Sequence, residues 1–306
     1  MQKIMVVGPG GTGGFIAGQL SKYTSTEVTL VARGESLRAI SKNGLTVITD
    51  EETYTTHPTL TTDAPATAGV QDAIILCTKS YGLKQALEQI RPCVGEHTLL
   101  LPLLNGISAY REICESLGTG VALSGCIYIF SQILAPGTIK RTGALCKIEF
   151  GIPAAVALPE SASALCALLS EAHIPAFMPE NYQGNLWMKW LLMLSNAQAA
   201  SYFNMPIGPM REDPEKYAFV MALLDEALLV AAAEGVALPA DARELTIGVI
   251  SRLAYESTPS LSRDLNTPNK PTELDVFGGE LLRLAKKHGL SLPCNEKLIA
   301  HFADRI

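Results

Sequence analysis

Ile4-Met5-Val6-Val7 begins the chain as an unbroken apolar run, and a cluster of glycines follows it at once. Phe15, Ile16 and Leu20 then recur at helical spacing, and a second apolar run occupies residues 28–32. A third run at 73–77, a helical stretch at 81–90 and a fourth run at 98–101 continue the alternation. Strands that are apolar along their whole length are buried on both faces, so this half predicts a parallel sheet with helices on either side. From about Gly120 the texture changes. Segments 122–133, 137–141 and 147–150 read as antiparallel strands, with Pro136-Gly137 as a turn, and a helix near 161–172 leads to a last strand at 174–178. Beyond Asn181 nearly every stretch has helical periodicity, over 181–200, 214–234, 240–256, 273–288 and 294–302. Proline and glycine mark the gaps between them. The expected fold class is therefore α/β: a Rossmann-type parallel-sheet domain over 1–180, then an all-helical domain over 181–306. No internal repeat or low-complexity tract interrupts either half.

Composition removes several function classes. Of 306 residues, 48% are hydrophobic and 18% charged, the balance of a packed globular chain. A net charge of −6 argues against a nucleic-acid partner, which favours a basic excess, yet leaves room for a local basic pocket. No apolar run approaches the roughly 20 residues of a bilayer span, so no membrane partner is expected. The seven cysteines form no C-x-x-C pair, which points to buried free thiols and to no metal site or disulfide framework. With no charged leader and cleavage site at the start, the expected location is the cytoplasm.

Gly8-Pro9-Gly10-Gly11-Thr12-Gly13-Gly14 satisfies G-x-G-x-x-G at Gly8, Gly10 and Gly13. Gly8 suits the tight turn off the first strand, Gly10 the close approach of backbone to a pyrophosphate, and Gly13 the packing of helix on sheet. The new helix aims its unpaired N–H groups and positive dipole end at the phosphates, which places Gly11 and Thr12 in contact with them. The motif alone is weak; strand before it, helix after it and a βαβ unit closing within about 30 residues give it context. Where NAD sites carry an acid for the ribose hydroxyls, at the end of the second strand, this chain has Arg33. A guanidinium can fork onto a 2′-phosphate that an acid would repel, so the expected cofactor is NADP(H).

These segments, together with Thr78-Lys79-Ser80, Leu104-Asn105-Gly106, the helix bearing Lys189, and 260–279 with its Pro271-Thr272-Glu273-Leu274-Asp275, resemble the ketopantoate reductase family along essentially the whole chain. The resemblance implies Lys189 as the group that assists proton delivery to a ketone. It places Glu273, as a second catalytic residue, and Ser260 near cofactor and substrate, and it puts Lys79 and Asn105 on the cofactor side. The chemistry is consistent with these residue types. Hydride transfer to a ketone develops negative charge on oxygen, which a partly desolvated ammonium can stabilise and protonate.

One departure stands out. The family commonly has asparagines four and eight residues beyond the catalytic lysine, and those positions here are Met193 and Ala197. Asn196, seven beyond Lys189, returns within roughly 20° of the lysine's direction on an α-helix, so it is a candidate substrate contact. The expected function is NADPH-dependent reduction of a small 2-oxo acid, with 2-dehydropantoate (ketopantoate) first in line. The alternatives are a related 2-oxo-acid, hydroxy-acid or opine-type reductase, or a non-catalytic NADP(H) sensor. A homodimer is compatible with the helical half, although no interface signature specifies one.

Overall fold

The computed structural model describes residues 1–152 and 159–305. It divides into two compact units, Met1–Leu104 with Ala109–Tyr182, and Asn105–Ser108 with the chain from Gln183 onward. The first is the Rossmann-like α/β half and the second is helical.

The first unit opens with β1 (Lys3–Val7), α1 (Gly11–Tyr23), β2 (Glu27–Val31) and α2 (Gly34–Asn43). Three short strands follow, β3 (Leu45–Ile48), β4 (Thr53–Thr56) and β5 (Leu60–Thr62), before β6 (Ala73–Leu76), α3 (Leu83–Ile90), β7 (Leu99–Pro102), α4 (Ala109–Leu117) and β8 (Val121–Ala122). The unit ends with β9 (Ser124–Ala135), β10 (Thr138–Gly151), α5 (Glu160–Glu171) and β11 (Ala176–Phe177). Six strands form a parallel sheet in the order β5-β2-β1-β6-β7-β8. Strand order reverses between β1 and β6, and ligands of open α/β sheets bind beyond the carboxyl ends of the strands at such a switch point. Every residue of β6 and β7 is buried, as unbroken apolar runs require.

A second, mixed sheet runs β11-β10-β3-β4, with β9 antiparallel to β10. The segments expected at 137–141 and 147–150 are one strand. β10 stays continuous through an irregularity in which Thr142 pairs with Phe130 and Cys146 with Ile129, so the three residues between them are looped out. The strands β3 to β5 went unpredicted because Leu45-Thr46-Val47-Ile48, Thr53-Tyr54-Thr55-Thr56 and Leu60-Thr61-Thr62 are short, threonine-rich and only half buried.

Helix α1 contacts both sheets, β1 and β2 on one side and β3, β4, β9 and β10 on the other. Glycines make this possible. A Cβ at Gly11 would stand 2.8 Å from the Ser131 carbonyl of β9, one at Gly14 2.6 Å from Ile139 of β10, and one at Gly18 2.5 Å from Val47 of β3. Residues 11, 14 and 18 share one helix face, which meets the backbone of β9 at Gly11 and the side chains of Ile139 and Val47 at Gly14 and Gly18.

The second unit comprises α6 (Tyr182–Leu192), a π-helical turn Met193–Ala197, α7 (Gln198–Tyr202), α8 (Ile207–Glu212), α9 (Pro214–Ala233), α10 (Ala242–Arg252), α11 (Ser260–Leu265), a second π-turn Asp275–Gly279, α12 (Glu280–Lys287) and α13 (Pro293–His301). Asp213 caps α9, its Oδ1 accepting from the N–H groups of Glu215 and Lys216 at 3.1 Å each. Helix α9 then packs against α7, α8, α10, α12, α13 and the first π-turn. The helices expected over 181–200 and 273–288 are present, but each contains a π-turn that periodicity does not announce. The cysteines are free thiols, with Cys93 and Cys126 buried; Cys114 is exposed, contrary to the expectation of burial, because it lies on the outer face of the short helix α4.

Gly14→Val puts branched carbons where Ile139 already sits. The expected cost is about 1–3 kcal/mol, the range for overpacking a filled core, read as a lowered urea midpoint with an unchanged slope. A midpoint equal to wild type would mean that the two layers are not held this closely.

Candidate active site

In the first unit, the glycine loop lies where β1 meets β6. Gly8 has φ +102°, a conformation that side chains resist, and its N–H donates to the Val31 carbonyl at 3.1 Å. A Cβ there would stand 2.9 Å from the Cys77 carbonyl, and one at Gly13 would overlap the Gly8 carbonyl oxygen. At Gly10 the opposite holds: a Cβ would meet nothing within 4 Å. Gly8 and Gly13 are therefore glycine for packing, whereas the space at Gly10 is open. Gly10 is also the N-cap of α1; it has no side chain to cap with, and the first turn carries no acid. The positive end of the helix is left available for an anion. Beside it, the Thr78 hydroxyl is buried without a hydrogen-bond partner. An orphaned donor next to an uncapped helix end fits a phosphate-bearing ligand.

Arg33, the N-cap of α2, is exposed beyond the carboxyl end of β2. Its Nη1 donates to Gln85 Oε1 on α3 at 3.2 Å, a partner that the sequence did not reveal. Lys79 is half-buried and begins the 3-10 turn Ser80–Gly82 after β6. Between the loops, burial pushes the Cys77 thiol up to about 12, so this sulfur is a packing atom rather than a nucleophile.

In the second unit, residues far apart in sequence meet on one turn. Asn105 Nδ2 donates to Glu273 Oε2 at 3.3 Å across 168 positions, and Glu273 is only 3% exposed. Glu273 precedes the second π-turn rather than opening a helix, so the dipole of a first helical turn is not what places it there. Gly106, at φ +88°, lies against Val276 of that turn, and a Cβ on it would stand 3.2 Å from the Val276 carbonyl. The same carbonyl accepts from Trp190 Nε1 at 3.1 Å. The sequence neighbour of Trp190 is Lys189, half-buried in the last turn of α6, where Trp187 and Trp190 pack edge to face. Residues 105–106, 190 and 273–276 are thus fixed to one another, and Lys189 rides on the helix that this latch holds.

Asn196 is not where α-helical geometry puts it. A π-turn takes one more residue than an α-turn, which sets the helix back by about 100° from there on, so the angle computed from Lys189 does not carry through. The structure turns Asn196 inward at 4% exposure, with a buried Oδ1 that has no hydrogen-bond partner. Ser260 begins α11, and that helix packs on α7 and on the π-turn that holds Asn196. Among the described residues no cluster of metal-ligating side chains occurs, and no helix is long and apolar enough to cross a membrane.

A profile described as ketopantoate reductase PanE/ApbA matches residues 4–154, and its C-terminal counterpart matches 181–305. The uncharacterized oxidoreductase YkpB of Bacillus subtilis is 26% identical over 299 residues, covering 98% of this chain and 97% of its own. A 2-dehydropantoate 2-reductase of Streptococcus pyogenes serotype M1 is 28% identical over 295 residues, covering 95% and 93%. The crystal structure of 2-dehydropantoate 2-reductase from Porphyromonas gingivalis W83 superposes with a TM-score of 0.85 at 27% identity, covering 99% of each chain. Both halves of the sequence and the whole of the fold lead to one assignment: the chain belongs to the ketopantoate reductase family.

Proposed function

We propose that this chain is an NADP(H)-dependent reductase of a small 2-oxo acid, with 2-dehydropantoate as the first candidate substrate and pantoate as its product. The observation that carries the reading is the latch of Asn105, Trp190 and Glu273 on one turn, which fixes the helix that bears Lys189. Relatives named 2-dehydropantoate 2-reductase that align over nearly the full chain support the substrate class.

The uncapped start of α1, the space at Gly10 and the Gly11 and Thr12 amides would hold the pyrophosphate. Arg33 would take the 2′-phosphate, exchanging its neutral Gln85 partner for a charge-assisted one, and Lys79 would add positive charge nearby. When bound, the nicotinamide supplies a hydride to the carbonyl carbon. Lys189 meets the charge that develops on the carbonyl oxygen and delivers the proton there, leaving an alcohol. Glu273, steadied by Asn105, offers a fixed carboxylate acceptor to hydroxyl groups of the bound ligands. Ser260 is assigned to the substrate's polar groups.

A second reading keeps the chemistry and changes the substrate. Met193 and Ala197 supply no amides, whereas Asn196 holds an unpartnered buried carbonyl on the same turn. That arrangement suits a 2-oxo acid with a different placement of donors from ketopantoate, because a site with an unpaired polar group discriminates strongly.

The test is NADPH consumption with ketopantoate and a panel of 2-oxo acids. Lys189→Ala should lower kcat by about a hundredfold or more while leaving NADPH affinity intact; an unchanged kcat sinks the assignment of the proton donor, and no turnover of any acid by wild type leaves a cofactor-binding sensor. Arg33→Ala should weaken NADPH by roughly tenfold or more, the value of a lost charged hydrogen bond, and leave NADH unaffected. Equal losses for both nucleotides would contradict a 2′-phosphate contact. Asn196→Ala should raise KM for the preferred acid about tenfold with little change for acids lacking the matching donor; a uniform effect across the panel would count against a direct contact.

A further inference from the structure

The first unit contains a cavity of about 460 Å³ whose lining includes Phe15 and Tyr23 of α1, Glu51 and Glu52 between β3 and β4, Arg141 of β10, and His173. None of these residues belongs to the glycine loop or to the loops after β2 and β6. We propose that it is a binding site for a small organic monocarboxylate, with Arg141 as its anchor.

Arg141 is 9% exposed, and its Nε is buried with no hydrogen-bond partner. Its recorded ion pair, Nη1 to Glu51 Oε2, spans 3.6 Å and joins it to a side chain that is 69% exposed. Glu52 is committed elsewhere, accepting from Lys22 and from the Tyr23 hydroxyl at 2.5 Å each. A guanidinium withdrawn from water with so weak a counter-charge is costly unless something else completes its partners. The local fold keeps it there. Residues 143–145 are looped out of β10 just beyond Arg141, and the Gly143 N–H is tied to Asp50 Oδ2 of the β3–β4 hairpin at 2.7 Å.

The lining specifies the ligand's chemistry. A guanidinium fork matches a carboxylate, which would take the place that Glu51 fills poorly. Phe15 and the Tyr23–His173 pair, stacked at 4.2 Å, present an apolar wall for a flat or aliphatic body. The volume falls in the range of small-molecule sites and exceeds what one inorganic ion fills. Two glutamates in the lining disfavour a dianion.

The experiment titrates the full-length protein with benzoate, benzyl alcohol and inorganic phosphate, reading the backbone amide shifts of Thr49, Glu51 and Gly143. Benzoate should give saturable shifts at millimolar concentration. Arg141→Met should weaken them about tenfold or more, the factor expected for a charged hydrogen bond, and Glu51→Gln, which removes a competing carboxylate from an exposed position, should tighten them. Because Arg141→Met removes an under-compensated charge, its thermal midpoint without ligand should be no lower than wild type. Benzoate binding that survives Arg141→Met overturns the proposal, as does an equal response to benzyl alcohol or to phosphate. Midpoints lowered alike in Arg141→Met and Glu51→Gln would make Arg141 half of a structural ion pair and overturn it equally.

Discussion

Two sheets close on α1 because Gly11, Gly14 and Gly18 leave one of its faces without side chains. The parallel sheet holds the other face, so the helix is packed from both directions. Much of the first unit depends on this. The start of α1 can serve as an anion site only if it stays registered against Gly8 and Cys77. The glycine cluster therefore does two tasks that a motif search merges: Gly8, Gly10 and Gly13 shape the loop, whereas Gly11, Gly14 and Gly18 admit a second layer.

The helical unit solves its positioning problem differently. Hydrogen bonds from Asn105 and Trp190 converge there on the segment 273–276. A buried carboxyl group such as that of Glu273 is expensive to leave without hydrogen-bond partners, so Asn105 contributes to satisfying it as well as to holding the turn. Two π-turns flank this centre, Met193–Ala197 and Asp275–Gly279, and they contact each other. Such turns sacrifice regular backbone bonding and are frequent where side chains must be re-aimed. Here the first one turns Asn196 toward the interior.

What the sequence made legible follows from which patterns are local. The strands β1, β2, β6 and β7 stand out because burial on both faces forces unbroken apolar runs, and the loop after β1 because three glycines at fixed offsets have few other uses. The candidates Gly8, Arg33 and Lys79 are suggested by their place after strand ends, which a parallel sheet turns into one rim. Threonine-rich β3 to β5 were not legible, since half-exposed strands dilute the apolar signal. Nor were the π-turns, which have no compositional mark and which undid the helical angle drawn from Lys189 to Asn196. The pairing of Asn105 with Glu273 lies 168 positions apart and no periodicity can see it. Arg141 passed as an ordinary strand residue because a lone arginine carries no hint of burial.

Asn105–Ser108 belong to the helical unit although they lie within the sequence of the α/β half. This short peptide supplies the partner of Glu273, the close approach of Gly106 and, through Ile107, part of the helical core. The two halves are consequently not interchangeable modules in the way that their separate folds suggest. A recombination event at residue 182 would join a helical half to a foreign peptide at 105–108, and the polar centre would survive only where that peptide already matched. Inheritance should therefore keep the halves together, with drift at 105–108 coupled to drift at 273–276.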